Sequence, residues 1–267
     1  MQEGHGGVAL ALGAGGVYGY AHVGVLSVLQ EYDLWPDFVV GCSIGAVIGA
    51  LYGAGLSGGQ LLQLGMGLKR GHLLDLRPTR MGIIGGQRLE GVVRLLTHDR
   101  RLEEMHPPLA IVATDVERGE KVVFTRGLAA RAARASSAMP GIFAPVRIGE
   151  RLLVDGAVLE RVPVRTAREL GARRVVAVAL GIMTPGQTAK VHNAFDVVLQ
   201  SFDIMQREMS QGYDGADVVI EPPVGEANAS GNGGAERLID AGRAAALANI
   251  EALRDVLHAR KELAGRD

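Results

Sequence analysis

Ser43 stands in Gly41-Cys42-Ser43-Ile44-Gly45. This G-x-S-x-G spacing fits a nucleophile elbow, a sharp strand-to-helix turn that lifts a serine into the open. A serine hydroxyl is a weak nucleophile until a base accepts its proton. The chemistry on offer is therefore acyl transfer through a covalent serine ester, provided that a base is near. A second match runs from Gly55 to Gly59, centred on Ser57. It follows a helix tail and precedes "GGQLLQL", the place where a serine caps a helix start. We read Ser43 as the nucleophile, with Gly41 and Gly45 shaping its turn, and Ser57 as a cap.

The base has several candidates. Histidines occur at positions 5, 22, 72, 98, 106, 192 and 258. Of these, His192 is the one kept, since the chain order Ser43-Asp155-His192 would suit an α/β-hydrolase-like triad. It falls early in a predicted helix rather than at a strand end. His22 lies in the predicted helix after the glycine loop, in a packing or capping position. Asp155 ends the apolar run "RLLVD" and precedes Gly156. A carboxylate there could take the hydroxyl proton directly, and apolar surroundings would raise its pKa into a useful range. Asp-Gly is also an ordinary hairpin turn. Asp115, at the end of "LAIVAT", is the rival carboxylate.

The stretch "GAGGVYG" (13–19) offers the complementary charge. Backbone N–H groups in such a loop, at the start of a helix, converge on an anion. As an oxyanion hole, each donor would be worth ~3 kcal/mol; Gly15 and Gly16 are the candidate donors. A dinucleotide fingerprint fits less well. Tyr18 stands where G-x-G-x-x-G needs its third glycine, and the next strand delivers Gly41-Cys42-Ser43 in place of an acidic residue.

These residues need a scaffold. Short apolar runs predict strands at "GVALAL" (7–12), "FVV" (38–40), "LAIVAT" (109–114), "KVVF" (121–124), "VVAVAL" (175–180) and "DVVI" (217–220), with "GVALAL" and "VVAVAL" read as buried. "RLLVDGA" (151–157) reads as a strand running into a turn. Helical spacing predicts helices over 20–32, 43–53, 128–137, 190–211 and 235–262. Residues 57–106 read as mostly helical around a loop at 77–86, and 222–234 as a loop. Strands alternating with helices predict an α/β fold, three layers with a mainly parallel central sheet. With no repeat and no linker, one domain over 1–267 is expected.

Composition narrows the partners. The 267 residues carry a net charge of −1 without a long run of one sign, which argues against a nucleic-acid partner. One cysteine, Cys42, excludes an internal disulfide and fits a reducing, cytoplasmic setting. The first residues lack the basic start of a signal peptide. No Cys/His spacing suggests a metal, and no cofactor is expected. No charged residue occurs from Phe38 to Leu68, and Gly41, Gly45, Gly49 and Gly53 fall four apart, as on a transmembrane face. A buried strand feeding a buried helix explains the same pattern, because "GLSGGQ" interrupts the run. The glycines would then let the helix lie close to a sheet.

The chain resembles the patatin-like phospholipases. The matching stretches are "LALGAGGVYGYAHVGVL" (10–26), "VVGCSIGAVIGALYGAG" (39–55), "ATDVERGEKVVF" (113–124), "ASSAMPGIFAPVRI" (135–148) and "LLVDGAVLERVPV" (152–164). The resemblance implies a catalytic dyad of Ser43 and Asp155 without histidine, an oxyanion hole in the glycine loop, and a structural Asp115. It implies hydrolysis of fatty acyl esters of phospholipids or lysophospholipids. One departure stands out: the family's loop carries Arg or Lys where this chain has Tyr18, so the head group is left open, as is a lipid-binding member without catalysis. A lipid substrate also requires a surface that meets a membrane peripherally. "KRGHLLDLRPTRMGII" (69–84), mixing basic and apolar residues, is the candidate.

Overall fold

In a computed structural model of the protein, residues 7–67, 75–79, 81–181, 213–224 and 234–263 are described, with a few positions between 191 and 205. The first strand, β1 (Val8–Leu12), is buried along its whole length. It leads through the glycine loop into α1 (Tyr20–Glu31). Strand β2 (Phe38–Cys42), also buried throughout, leads through Ser43 into α2 (Ile44–Gly53). β5 (Leu109–Asp115) and β6 (Glu120–Phe124) form a hairpin, and β8 (Val146–Ile148) and β9 (Arg151–Asp155) form another. With β10 (Arg174–Val178) and β11 (Val218–Ile220) they build one sheet, ordered β11-β10-β1-β2-β5-β9-β8, with β6 also on β5. The five strands from β11 to β5 run parallel, and β6 and β9 run antiparallel to β5.

Alternation along these strands makes two cores. Leu10, Leu12, Val39, Ile111, Val176 and Val178 join the larger one, with α1, α2, α5 (Ala129–Ser136), α7 (Gly234–Ala248) and α8 (Ile250–Leu263). Ala9, Ala11, Val40, Ala110, Val112 and Ala177 face the other side, against Val162, Val164 and Ala167 at α6 (Val164–Glu169). The result is the expected α/β sandwich with a mainly parallel sheet. Helices α1 and α7 cross almost backbone to backbone. A Cβ at Gly24 would lie 2.0 Å from Ile239 O, and one at Gly242 2.0 Å from Ala21 O.

The sequence reading differs from the structure in several places. Residues 77–86 are not a loop but hold most of a hairpin, β3 (Leu76–Thr79) and β4 (Gly82–Ile84). β4 pairs with β7 (Gly141–Phe143) in a separate three-stranded sheet. These strands are too short to show alternation, and Pro78, Gly82 and Gly85 disguise them. Only α3 (Gly58–Gly67), α4 (Gln87–Leu96) and one 3-10 turn, Leu102–Glu104, are helical between 57 and 106 among the described residues. The predicted last helix is two helices, broken at Asn249, whose side-chain amide donates to Ala245 O. The predicted helix over 190–211 and the loop over 222–234 lie largely outside the described residues. Among the described residues, no helix is long and apolar enough to cross a membrane.

Candidate active site

Ser43 caps α2 with φ 53° and ψ −121°, a region that non-glycine residues rarely adopt. Such a conformation persists only where the surroundings over-determine it. They do so here by close approach. A Cβ at Gly45 would lie 2.2 Å from Leu12 O, and one at Gly41 2.6 Å from Ala46 Cα. The first turn of α2 is thus pressed onto the end of β1, and the chain must bend sharply at Ser43 to reach it. The glycine spacing expected to let a helix lie against a sheet does so most tightly at Gly45.

The position of Asp155 follows from the edges of β5. β6 pairs with residues 111–115 on one edge. On the other edge, β2 pairs with residues 109–112 and β9, running the opposite way, with residues 113–115. The C-terminal ends of β2 and β9 therefore meet head-on. Cys42 sits opposite Val112 and Asp155 opposite Ala113. Gly156 lets the chain leave this junction, because a Cβ there would lie 2.3 Å from Val112 O.

The outcome is a short contact. Ser43 Oγ donates to Asp155 Oδ2 at 2.6 Å. Asp155 Oδ1 accepts the N–H of Ala157 at 2.9 Å. Asp155 is 1% exposed and Ser43 7%. Burial pushes the Asp155 carboxyl up to about 6, and the hydrogen bonds from Ser43 and Ala157 and the Arg161 charge restrain the rise. The pair can therefore do general-base chemistry near neutral pH. Cys42 Sγ lies 4.0 Å from Asp155 Oδ1, and its own burial raises the thiol pKa far enough to keep it protonated.

The glycine loop is tied at its root. Gly13 N–H donates to Val178 O at 3.0 Å and Ala14 N–H to Arg161 O at 2.9 Å. Gly13 O accepts from His22 Nε2 at 2.8 Å. Burial lowers the His22 pKa to about 4, so the ring is neutral and Nε2 carries its proton. Both ends of the loop touch the elbow: a Cβ at Gly45 would also meet Gly13 O at 2.8 Å, and one at Gly19 would meet Ile44 Cγ1 at 2.1 Å. Among the described residues, the N–H groups of Gly15 and Gly16 donate to no protein group. Two free donors thus stand in a loop braced against the serine turn, a suitable arrangement for an oxyanion.

The remaining candidates sort by contact. Asp115 is buried and accepts from Arg118 Nη1 at 2.8 Å and from the N–H groups of Glu117 and Arg118. Burial would raise its carboxyl pKa, but these donors hold it below the usual carboxylate range. It closes the β5–β6 turn. Ser57 caps α3: Gln60 N–H donates to Ser57 Oγ at 3.2 Å, and Gln60 Oε1 accepts the Ser57 N–H at 2.9 Å, a capping box. His98 and His106 are exposed, and His22 is turned to Gly13. His192 lies outside the described residues. Three contributors carried no clear sequence signal: the His22 tether, Arg161, and Ser136, whose Oγ accepts the Ser43 N–H at 2.8 Å. The "SS" at the end of an alanine-rich helix was the nearest hint of Ser136.

Comparisons with known proteins bear on the family and the fold. A sequence profile described as Patatin-like phospholipase matches residues 10–168. An uncharacterised NTE family protein of Mycobacterium tuberculosis is 36% identical over 178 residues, which is 65% of this chain and 49% of that protein. Lysophospholipase NTE1 of Cryptococcus neoformans is 28% identical over 180 residues, 65% of this chain and 11% of that protein. The chain thus spans about half the length of the mycobacterial relative and a small part of the fungal one. The crystal structure of VipD from Legionella pneumophila superposes with a TM-score of 0.64 over 94% of this chain and 67% of that one. At 13% identity this is a likeness of fold. The profile spans the glycine loop, the serine turn and the aspartate junction, and on that match the chain belongs to the patatin-like phospholipase family.

Proposed function

We propose that the chain is a serine acyl-ester hydrolase that releases fatty acids from phospholipids or lysophospholipids through Ser43 and Asp155. The observation that carries this is the 2.6 Å hydrogen bond from Ser43 Oγ to a buried carboxylate. Family membership and the name of the fungal relative, lysophospholipase, support the substrate class. Asp155 accepts the Ser43 proton as Oγ attacks the acyl carbonyl. The N–H groups of Gly15 and Gly16 hold the negative oxygen. The carbonyl re-forms, the alcohol leaves with the proton from Asp155, and the acyl group stays on Ser43. Water then gives a proton to Asp155 and its oxygen to the acyl carbon, Ser43 recovers its proton, and the fatty acid departs.

The test is covalent labelling with a fluorophosphonate probe, beside hydrolysis of p-nitrophenyl butyrate and lysophosphatidylcholine. Labelling at Ser43, with hydrolysis of both esters, is the expected result. Binding of lysolipid without labelling would replace this reading by a lipid-binding one. Because the base must be ionised, kcat/KM should rise with pH and lose half its value as pH falls to about 6. A flat profile from pH 5 to pH 8 would remove Asp155 as the base.

The lipid also needs a surface to meet. On the small sheet, Met81 is 57% and Ile83 47% exposed, and β7 beside them follows the segment that holds Asp155. The sequence from Lys69 to Arg88 carries Lys69, Arg70, Arg77, Arg80 and Arg88 against one acid, Asp75. That acid is buried and bonded to Gly86 N–H at 2.8 Å. We expect Met81→Glu with Ile83→Glu to weaken co-sedimentation with anionic vesicles by about tenfold. Leu95→Glu, at a still more exposed apolar residue on α4, should leave it unchanged. Equal vesicle binding by both variants would place the contact elsewhere.

A further inference from the structure

The β2–β5 ladder is interrupted where the nucleophile turns away. Val39 N–H donates to Pro108 O at 2.8 Å, and the parallel register runs Val39 to Leu109 through Cys42 to Val112. Parallel ladders repeat every two residues. Gly41 N–H is therefore matched to Ala110 O, and Ser43 N–H, next in the series, to Val112 O. A hydroxyl stands between them instead. Ser43 N–H donates to Ser136 Oγ at 2.8 Å, and Ser136 Oγ donates to Val112 O at 2.6 Å. Ser136 is fully buried at 0% exposure.

We propose that Ser136 is a positioning residue whose inserted hydroxyl holds the serine turn off β5 and thereby sets the Ser43–Asp155 contact. It rests on the reading of Ser43 and Asp155 as the reacting pair. Three features converge on it. From Ala113 onward the same edge of β5 is taken by β9, so a β2 that continued along the ladder would run into Asp155. The φ of 53° at Ser43 needs an outside restraint, and the Ser136 hydroxyl grips its N–H. Two residues further on, Ala138 O accepts the Asp155 N–H at 3.0 Å. One three-residue stretch at the end of α5 therefore grips the backbone of both members of the pair. Without the hydroxyl, the Ser43 N–H either loses its partner or closes onto Val112 O, and both outcomes move Oγ.

Steady-state kinetics of Ser136→Ala on p-nitrophenyl butyrate test this. We expect kcat to fall about 10²-fold, as for a nucleophile displaced by about an ångström, with KM within about twofold of wild type. The acid limb of kcat/KM should move to higher pH, because a weaker Ser43 hydrogen bond restrains the Asp155 carboxyl less. Thr97→Ala is the control. It removes another buried hydroxyl bond, Thr97 Oγ1 to Val93 O at 2.8 Å, made locally at the C-terminal end of α4. It should lower Tm similarly and leave kcat and the acid limb in place. If Ser136→Ala does not fold, Ser136→Cys decides by the same two readouts. A wild-type kcat and acid limb in the folded Ser136 variant would overturn the proposal. So would a loss no greater than that of Thr97→Ala at equal Tm. If wild type itself neither labels nor hydrolyses, the dyad reading fails and this proposal falls with it.

Discussion

Asp155→Asn is expected to lower kcat by about 10⁴-fold and to yield a chain that is more stable at pH 8 than the wild type. The two effects share one cause. Asn keeps the size of the side chain and can still accept the Ala157 N–H, but it cannot take a proton from Ser43. Ser43→Ala should cost at least as much activity and abolish fluorophosphonate labelling. On stability, the folded-state pKa of Asp155 lies above its unfolded value, at about 6 against 3.8. Such a group favours folding fully below the unfolded pKa and loses that contribution as pH rises through the folded pKa. By pH 8 the fold bears a buried charge costing on the order of 3 kcal/mol, and Asn removes it. Denaturant midpoints of wild type and Asp155→Asn should therefore converge below about pH 4 and separate above about pH 6. Equal midpoints at pH 8 would show that the buried charge at Asp155 costs nothing, and an Asn variant with near wild-type kcat would show that Asp155 is not the base. Activity traded against stability at one residue is a common mark of a functional site.

Gly45→Ala is expected to unfold the protein or cost more than about 4 kcal/mol. The added methyl would sit 2.2 Å from Leu12 O, 2.6 Å from Leu12 C and 2.8 Å from Gly13 O. All three are backbone atoms, in or just after a strand paired on both sides, and cannot step aside. Relief requires α2 to lift from β1, which would carry Ser43 away from Asp155 and the glycine loop away from both. Gly59→Ala is the matched comparison. It also lies in a helix, but its nearest contact is Ser57 Oγ at 4.0 Å. There the change should be neutral or stabilising by up to about 1 kcal/mol, since alanine favours the helix and restricts the unfolded chain. Soluble yield and urea midpoints of the two variants measure the difference. A well-folded Gly45→Ala with an unchanged midpoint would mean that α2 sits further from β1 than described.

The candidate residues of the site were legible because their neighbours obey local rules. A serine between a short apolar run and a glycine-spaced helix can only be a sharp turn, so Ser43 could be separated from Ser57 without coordinates. By local pattern Asp155 was only a carboxylate at a strand end, and Asp115 met the same description; the family resemblance was what separated them. Their environments differ through residues far away in the chain. Asp115 has Arg118 and two backbone donors at hand, whereas Asp155 has the Ser43 hydroxyl, 112 residues away. The hairpin at 76–84 and β7 were missed because three- and four-residue strands carry no readable period, and their pairing joins segments about sixty residues apart.

The sequence by itself determined the alternation of strands and helices, the two glycine-lined turns and the identity of the serine. These follow from side-chain periodicity and from backbone conformations that each residue meets alone. Local pattern left open which carboxylate faces that serine, and the tertiary structure decided it, because the choice depends on β2 and β9 meeting end to end on one edge of β5. It also decided that a hydroxyl from α5 stands in that junction, and that burial lifts the Asp155 pKa to about 6. Strand edges, burial and contacts across 93 or 112 residues are properties of the packed chain, and no local pattern encodes them.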